Sequence, residues 1–407
     1  MKELLHILQQ VPQFPALVQA LEKGQSPAAV SGLSRIHRAH FAAGLGTALD
    51  RPVVMVCADE DEAQALGRDI TSFTGWSVTL IGSREFNFYN GAVASHQGEH
   101  SRLAAFYAMA QGECKVITAT VEGLLQRTLS PEELLEHVVT ICSGGSYDPT
   151  QLADALSALG YTRCDQVEGV GQFALRGGIL DVFSPAQDHP VRVEFWDTDV
   201  DSMGLFDPAT QRRVGHLDKA VFLPVREVLP QRQEDGSWQH VPDHQLPQRY
   251  PAHHTAVHHL PPDAVVCLSE SARVAERGKN WLWQLDEDLK TLVESGVQLG
   301  KHATFALTFP QLMEELSQFP LCFLDSFSTS TLPLPPKALF NAQGRQLSTF
   351  GANLDSAAAD LTQLQQAKTG TVVLVGSEQQ ALNLQALLRE KKIRSAVDFQ
   401  LHELPAP

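Results

Sequence analysis

Short apolar runs that alternate with helical patterns restrict the fold of this chain more than any other feature. The segments "RPVVMVC" and "CKVITAT" are almost wholly apolar, and the residues after each have apolar side chains at helical spacing. "SVTLIGS" begins a further unit of the same kind. A strand without polar alternation is buried on both faces, so this order predicts a parallel sheet with helices on both sides.

The pattern changes near residue 137, where closely spaced strand candidates replace the alternation. "DQVEGVGQFALRGGILDVFSP" and "PVRVEFWDTDVDSMGLFD" contain short strands separated by Gly, Pro and Asp turns. Residues 137–224 are therefore predicted to form an α+β insert. Because "AVVCLSES" and "PLCFLDS" return to apolar strands, we expect residues 1–136 and 225–329 to build one α/β domain around it.

The last part of the chain is predicted to be separate from this domain. Residues 330–347 begin with "STLPLPPKALF", a proline-rich stretch that is typical of a linker. Residues 348–407 restart a β–α–β pattern with "TGTVVLVGSEQQALNLQALLREKK". We expect a small α/β domain here that is truncated, since one such repeat is too few for a stable sheet.

Charge and hydropathy exclude several classes of function. The formal net charge of −16 argues against broad, non-specific binding to nucleic acid, which needs many Lys and Arg side chains. No apolar run reaches the roughly 20 residues of a membrane span, and the N-terminus lacks a signal sequence. The expected location is the cytoplasm, without a membrane partner.

The stretch "VSGLSRIHRA" lies where a nucleotide-binding protein has its phosphate loop. A P-loop reads G-x-x-x-x-G-K-[ST], because backbone N–H groups, the Lys and the Ser or Thr hydroxyl hold the phosphates and Mg²⁺. Here Gly32 suits a turn, and Leu33, Ser34 and Arg35 follow it without the Gly-Lys-Ser/Thr end. We interpret these residues as a degenerate nucleotide loop.

A degenerate Walker B strand agrees with this loop. "PLCFLDS" ends in Asp325, and Ser326 stands where a catalytic Glu would activate water. We therefore expect a nucleotide-binding fold without catalytic residues and without a cofactor. The alternative is a nucleotide hydrolase in which Arg35 or Arg38 replaces the Lys.

Histidines and cysteines offer little support for a metal site. "HHTAVHHL" has helical spacing for zinc ligands, but its flanks are proline-rich and no Cys or carboxylate completes the set. The six cysteines lie far apart with no C-x-x-C pair, which is typical of reduced core residues. We expect no metal.

The strand "VRVEFW" shows the clearest candidate for a binding surface. Period-two alternation places Val191, Val193 and Phe195 on one face. The other face carries Arg192, Glu194 and Trp196. Trp and Arg are enriched in binding hot spots, but Trp196 packed beneath the helix at 150–160, with a plain Arg192–Glu194 surface pair, explains the pattern equally well.

Residues 171–213 resemble a known domain. "FALRGGILDVFSP" and "HPVRVEFWDTDVDSMGLFDPATQR" are similar to the second domain shared by the bacterial transcription-repair coupling factors (Mfd) and the excision-repair helicase UvrB. The resemblance extends more diffusely over nearly the whole chain. It implies a degenerate RecA-like, helicase-type domain with an inserted α+β domain that binds the damage-recognition ATPase UvrA.

Within this pair the sequence looks more like a coupling factor. UvrB has an intact P-loop and a Tyr-rich hairpin, and "GSREFNFYNGAVASHQGEHSRLAAFYAM" has no such insert. The resemblance implies an N-terminal module that recruits UvrA to stalled transcription complexes without ATPase activity of its own. The alternative is a nucleotide-dependent, DNA-binding, helicase-like protein related to UvrB.

The family also implies particular contact residues. Its UvrA-binding positions fall on Arg176, Arg192 and Trp196, and Glu194 is a fourth candidate from the UvrB side. The family more often has Phe at the position of Trp196. RNA polymerase and double-stranded DNA are partners of the full-length family through domains that these residues do not include.

Overall fold

A seven-stranded parallel sheet forms the larger part of the computed structural model, which describes residues 3–88, 95–300, 303–342, 354–368 and 371–399. The elements before residue 137 are α1 (Glu3–Ile7), α2 (Gln13–Glu22), β1 (Ala28–Ser31), α3 (Arg35–Leu49), β2 (Val53–Cys57), α4 (Glu60–Thr74), β3 (Val78–Ile81), α5 (Gln97–Ala110), β4 (Val116–Thr120), α6 (Val121–Leu125) and α7 (Pro131–Glu136). The insert follows with β5 (Val139–Cys142), α8 (Pro149–Ala158), β6 (Thr162–Arg163), β7 (Gln172–Arg176), β8 (Ile179–Val182), β9 (Val191–Trp196), β10 (Asp199–Phe206), β11 (Arg213–His216) and β12 (Lys219–Phe222).

The chain then returns to the large sheet. The elements after the insert are β13 (Gln231–Arg232), β14 (Trp238–Gln239), α9 (Leu246–Arg249), β15 (Val265–Ser269), α10 (Ser271–Glu294), α11 (Phe309–Leu316), β16 (Leu321–Leu324), β17 (Ala338–Asn341), α12 (Leu354–Gln366) and α13 (Glu378–Glu390). Of these described elements, β13 and β14 pair only with each other. Among the described residues, no helix is both long and apolar enough to cross a membrane.

Alternate residues of each central strand pack into two different cores. The strand order is β17-β1-β16-β15-β2-β4-β3, and every neighbouring pair is parallel. On β2, Val53 and Met55 pack against helices α2, α3 and α4, whereas Val54 and Val56 pack on the opposite side with α5 and α6. The predicted α/β class, with a parallel sheet covered on both faces, is confirmed.

The insert is built on its own six-stranded sheet. The order is β11-β10-β9-β8-β7-β6, antiparallel except for the β6–β7 pair. One face packs on α8 and on the ribbon that β5 and β12 form. Val139 of β5 pairs with Phe222 of β12, so the chain enters and leaves the insert at neighbouring positions.

A buried network of ion pairs lies where the insert rejoins the large domain. Glu227 follows β12, and its carboxylate accepts a hydrogen bond of 2.7 Å from Nε of Arg102 on α5. Both side chains are fully buried. Arg84 lies 3.4 Å from Glu227 and donates two hydrogen bonds to Asp243, so one network joins α5, the loop after β3 and the return segment.

The final third of the chain differs from the expectation in two places. Residues 338–341, within the expected linker, form β17, which pairs with β1 and becomes the edge of the large sheet. Residues 371–375, expected to form a strand, lie outside any strand, and their valine and leucine side chains are exposed. The described part of 348–407 contains only the helices α12 and α13.

Some expectations fall on residues outside the described ranges. These are the end of the linker, the start and end of the last domain, and 89–94 within the region compared with the UvrB hairpin. All six cysteines are free, and four of them are buried as expected, whereas Cys142 is exposed and Cys164 half-buried.

Replacing Glu227 with Gln is expected to lower the free energy of unfolding by about 3 kcal/mol, because the buried Arg102 guanidinium then lacks a counter-charge. Urea denaturation measures the change. The control is Asp50→Asn, which removes a carboxylate from the exposed pair with Lys115 and is expected to cost less than about 0.5 kcal/mol. Equal losses in the two variants would contradict a structural role for the buried pair.

Candidate functional site

Trp196 is the most unusual side chain of the insert because it is 81% exposed. It ends β9, where Val193 and Phe195 point into the core and Arg192 and Glu194 lie on the open face of the sheet. The alternation predicted from sequence is therefore present. The interpretation that Trp196 packs beneath the helix at 150–160 is wrong, because α8 covers the other face.

Arg192 is held by a buried carboxylate rather than by Glu194. Its Nε and Nη2 donate hydrogen bonds of 2.7 and 2.8 Å to the two oxygens of Asp181 on β8. Its guanidinium also stacks over Phe206, 4.4 Å from the ring centroid. These hydrogen bonds to Asp181 raise the pKa of Arg192. The alternative interpretation, a plain Arg192–Glu194 surface pair, is wrong, because Arg192 pairs with Asp181 instead.

Arg176 reaches the same carboxylate from the next strand. Its Nη2 donates a hydrogen bond of 2.9 Å to Asp181, and half of its side chain is exposed. Gly177 and Gly178 form the tight turn between β7 and β8. Gly177 has a φ of +58°, and a Cβ on Gly178 would lie 2.7 Å from the Phe195 carbonyl oxygen, so the turn requires glycine.

Glu194 takes part in a separate set of contacts. Its carboxylate accepts a hydrogen bond of 2.5 Å from Ser202 Oγ on β10. Arg213 Nη2 donates to the same hydroxyl at 2.8 Å. Thus Glu194 is hydrogen-bonded to a hydroxyl of β10 that Arg213 of β11 also contacts, whereas Arg192 is paired with the carboxylate of β8.

The four candidate residues form one continuous open face. We name this the arginine face and define it as Arg176, Arg192, Glu194 and Trp196, with the buried Asp181 beneath it. Sequence reasoning missed Asp181. The contact depends on the register of β8 and β9, which places Asp181 directly opposite Arg192 and which the periodic pattern does not set. A large exposed aromatic on the same sheet face as oriented guanidinium groups suits docking onto a protein surface with carboxylates.

The degenerate loop lies at the carboxyl ends of β1 and β16, as expected. Gly32 has a φ of +88°, and a Cβ there would lie 2.0 Å from the Ala342 carbonyl oxygen at the end of β17. The N–H of Leu33 donates to the Asp325 carbonyl oxygen at 3.1 Å. One backbone N–H of this loop, of the kind that cradles phosphate in a P-loop, is therefore engaged by the protein itself.

Arg38 occupies the position of the P-loop lysine when the motif is counted from Gly32. Its guanidinium is buried between Glu62 and Glu270. It also donates hydrogen bonds to Ser326 Oγ at 2.9 Å and to the Leu33 carbonyl oxygen at 3.3 Å. Two carboxylates thus surround the cation that would otherwise attract phosphate.

The other nucleotide-site candidates have structural contacts as well. Asp325 accepts hydrogen bonds from the Ser271 N–H at 2.6 Å and from its hydroxyl at 3.1 Å, and burial raises the pKa of Asp325. Arg35 pairs with Asp69 at 3.4 Å on the surface. Ser34 is the residue before α3. The structure brings Asp325, Leu33 and Arg38 together but leaves Arg35 apart.

The histidines of this cluster make structural contacts within the fold. His259 stacks on Phe106 with ring centroids 4.1 Å apart, and its Nε2 lies 3.0 Å from the Leu129 carbonyl oxygen. His258 Nδ1 accepts from the Thr255 N–H, which caps a short 3₁₀ helix. Within the described ranges, no group of three metal-ligating side chains is close enough to hold an ion.

Comparisons with known proteins address this domain and the whole chain. The family described as "UvrB interaction domain" matches residues 139–227, which include the arginine face. A transcription-repair-coupling factor of Bacillus subtilis is 23% identical over 98% of this chain, and one of Myxococcus xanthus is 33% identical over 53% of it. The resemblance seen in the sequence is confirmed.

The match covers only part of these relatives. The chain spans 37% of the Bacillus protein, 19% of the Myxococcus protein and 35% of a Staphylococcus aureus coupling factor that is 23% identical over 91% of this chain. The chain therefore spans between about a fifth and little more than a third of the length of these relatives.

The pH dependence of stability is expected to report on His259. Burial lowers its pKa from 6.5 to about 4, so between these values the unfolded chain binds a proton that the folded chain does not. From pH 7 to pH 5 this histidine alone should cost about 2 kcal/mol of stability. Urea denaturation at pH 7 and pH 5 measures the change. Between these two pH values, the free energy of unfolding of His259→Gln should fall by about 2 kcal/mol less than that of the wild type.

The exposed His216 supplies the control for this measurement. His216→Gln makes the same substitution at a histidine whose side chain is 61% exposed, so it measures the general effect of replacing His by Gln. A variant at position 259 with an unchanged pH dependence would show that His259 titrates normally in the folded protein.

Proposed function

We propose that this chain is the N-terminal module of a transcription-repair coupling factor and recruits UvrA to stalled transcription complexes. The observation that carries this proposal is the exposed Trp196 on the same face of the insert sheet as Arg176 and Arg192, within the residues that match the UvrB interaction domain. A protein with this role works in the cytoplasm. The proposed domains are 1–136 with 225–329, the UvrA-binding insert 137–224, the linker 330–347 and the last domain 348–407.

Docking is proposed to combine one apolar anchor with oriented cations. Trp196 would enter a pocket of UvrA and lose its contact with water, which is the largest favourable contribution that a single side chain of this face offers. Arg176 and Arg192 would pair with carboxylates or carbonyl oxygens around that pocket. Glu194, close to Ser202 and Arg213, would sit at its edge.

The proposed module has no ATPase activity. Support comes from Arg38, whose guanidinium is surrounded by Glu62 and Glu270, and from Ser326 at the position of a catalytic Glu. A nucleotide triphosphate would have to displace these carboxylates and approach them with its own negative charge. RNA polymerase binding and DNA translocation are proposed to belong to the remainder of a full-length coupling factor.

Trp196→Ala and Arg192→Ala are each expected to weaken binding to purified UvrA by about 2 kcal/mol or more, which is about thirtyfold in Kd. Isothermal titration calorimetry with the full chain measures the affinity, and circular dichroism checks the fold. Trp283→Ala is the matched control, because Trp283 is 64% exposed on α10, outside the insert, and its loss should leave the affinity unchanged.

The outcomes show whether the chain binds UvrA and whether the arginine face is the interface. Equal affinity for wild type and Trp196→Ala would move the interface away from the arginine face. No binding by the wild type would overturn recruitment of UvrA by this chain.

Mg-ATP is expected to leave the thermal unfolding midpoint unchanged, because the nucleotide site is filled by side chains of the protein. A ligand present at one hundred times its Kd would add about 2.7 kcal/mol of stability, so binding would be visible as a rise in Tm. Magnesium chloride at matched ionic strength is the control. A rise in Tm with Mg-ATP alone would favour the alternative, a nucleotide-dependent protein related to UvrB.

A further inference from the structure

We propose that Asp181 is a positioning residue for partner docking, which fixes the two arginines of the arginine face in the orientation that the partner recognises. This inference rests on the proposed function. Asp181 lies beneath the face, so it is distinct from the residues that would touch UvrA. Its side chain is only 1% exposed.

One carboxylate serves both guanidinium groups. Asp181 Oδ1 accepts from Arg192 Nε at 2.7 Å, and Oδ2 accepts from Arg192 Nη2 at 2.8 Å and from Arg176 Nη2 at 2.9 Å. The two-point contact fixes the plane of the Arg192 guanidinium. The third hydrogen bond orients Arg176, which is the last residue of β7, directly before the turn to β8.

Further contacts limit Arg192 to one orientation. Its guanidinium stacks on the buried Phe206 ring, and its Nη2 also donates to Gln211 Oε1 at 2.8 Å. Gln211 is fixed in turn by its left-handed backbone, with a φ of +60°, and by a hydrogen bond to the Pro208 carbonyl oxygen. An arginine that is already ordered loses little conformational entropy on binding, which favours affinity and selectivity.

Arg176 keeps donors for a partner. Within the described part of the chain, its only side-chain hydrogen bond is the one to Asp181, and half of the side chain is in solvent. Its remaining N–H groups are thus available to carboxylate or carbonyl oxygens on the docking protein. Asp181 thus holds one nitrogen of the Arg176 guanidinium and leaves the other N–H groups free to donate to a partner.

Positioning and simple charge attraction predict opposite results. Asp181→Asn makes the arginine face more positive by one charge, so attraction to an acidic partner alone would tighten binding. Asn has one acceptor oxygen instead of two, so the two-point contact with Arg192 is lost and the guanidinium gains freedom. If Asp181 positions the arginines, binding weakens even though the net charge becomes more favourable.

The experiment compares the affinities of full-chain variants for purified UvrA at low and physiological salt. Asp181→Asn is expected to bind about tenfold more weakly than the wild type at both salt concentrations. Asp201→Asn is the matched control, because it removes one exposed carboxylate from the neighbouring strand β10. Its affinity should equal that of the wild type or rise slightly. Asp181→Glu, which keeps the charge, should recover part of the loss.

A second measurement separates positioning from a general loss of structure. In the wild type, the Arg192 Nε–H proton should exchange slowly in nuclear magnetic resonance spectra because it is bonded to Asp181. It should exchange rapidly in Asp181→Asn while the amide spectrum of the insert is retained. If Asp181→Asn fails to fold, Arg192→Lys replaces it, because Lys keeps the charge without the two-point contact and should show a similar loss.

The outcomes distinguish this inference from the proposed function. Wild-type binding together with equal or tighter binding by Asp181→Asn would overturn the positioning role and leave UvrA recruitment standing. If Asp181→Asn does not fold, normal binding by Arg192→Lys would overturn it in the same way. No binding by the wild type would overturn both.

Discussion

The buried pair of Arg102 and Glu227 is the contact on which the arrangement of the two domains depends. Glu227 lies five residues after the last strand of the insert, and Arg102 belongs to a helix of the large domain. A charge at this depth is stable only with its partner, so the return of the chain from the insert is fixed at one place. The insert that carries the arginine face is thus joined to the large domain through a buried ion-pair network.

The large domain has the shape of a nucleotide-binding fold but supplies its own counter-charges. In such a fold a phosphate neutralises the cation near the first loop. Here Glu62 and Glu270 neutralise Arg38. The charge of this buried cation is thereby balanced by carboxylates of the protein itself.

The sequence was sufficient for the features that depend on periodicity. Uniform apolar runs gave the parallel sheet, and alternation in β9 gave the face with Arg192, Glu194 and Trp196. The sequence was insufficient for contacts that depend on strand register or on partners far apart in the chain. The two arginines share Asp181 because three strands align in one register. Arg38 is enclosed by carboxylates that follow distant strands, and β17 exists because β1 offers it a free edge. Contacts between residues far apart in the chain leave no periodic signal.

The pairing of β5 with β12 brings the two ends of the insert side by side. A segment whose ends meet can be added to a host loop without changing the order of the host's strands. The insert therefore has the geometry of a transferable cassette. Such a cassette can pass between proteins of different activity during evolution and carry its docking specificity with it, while each host keeps or loses its own catalytic chemistry.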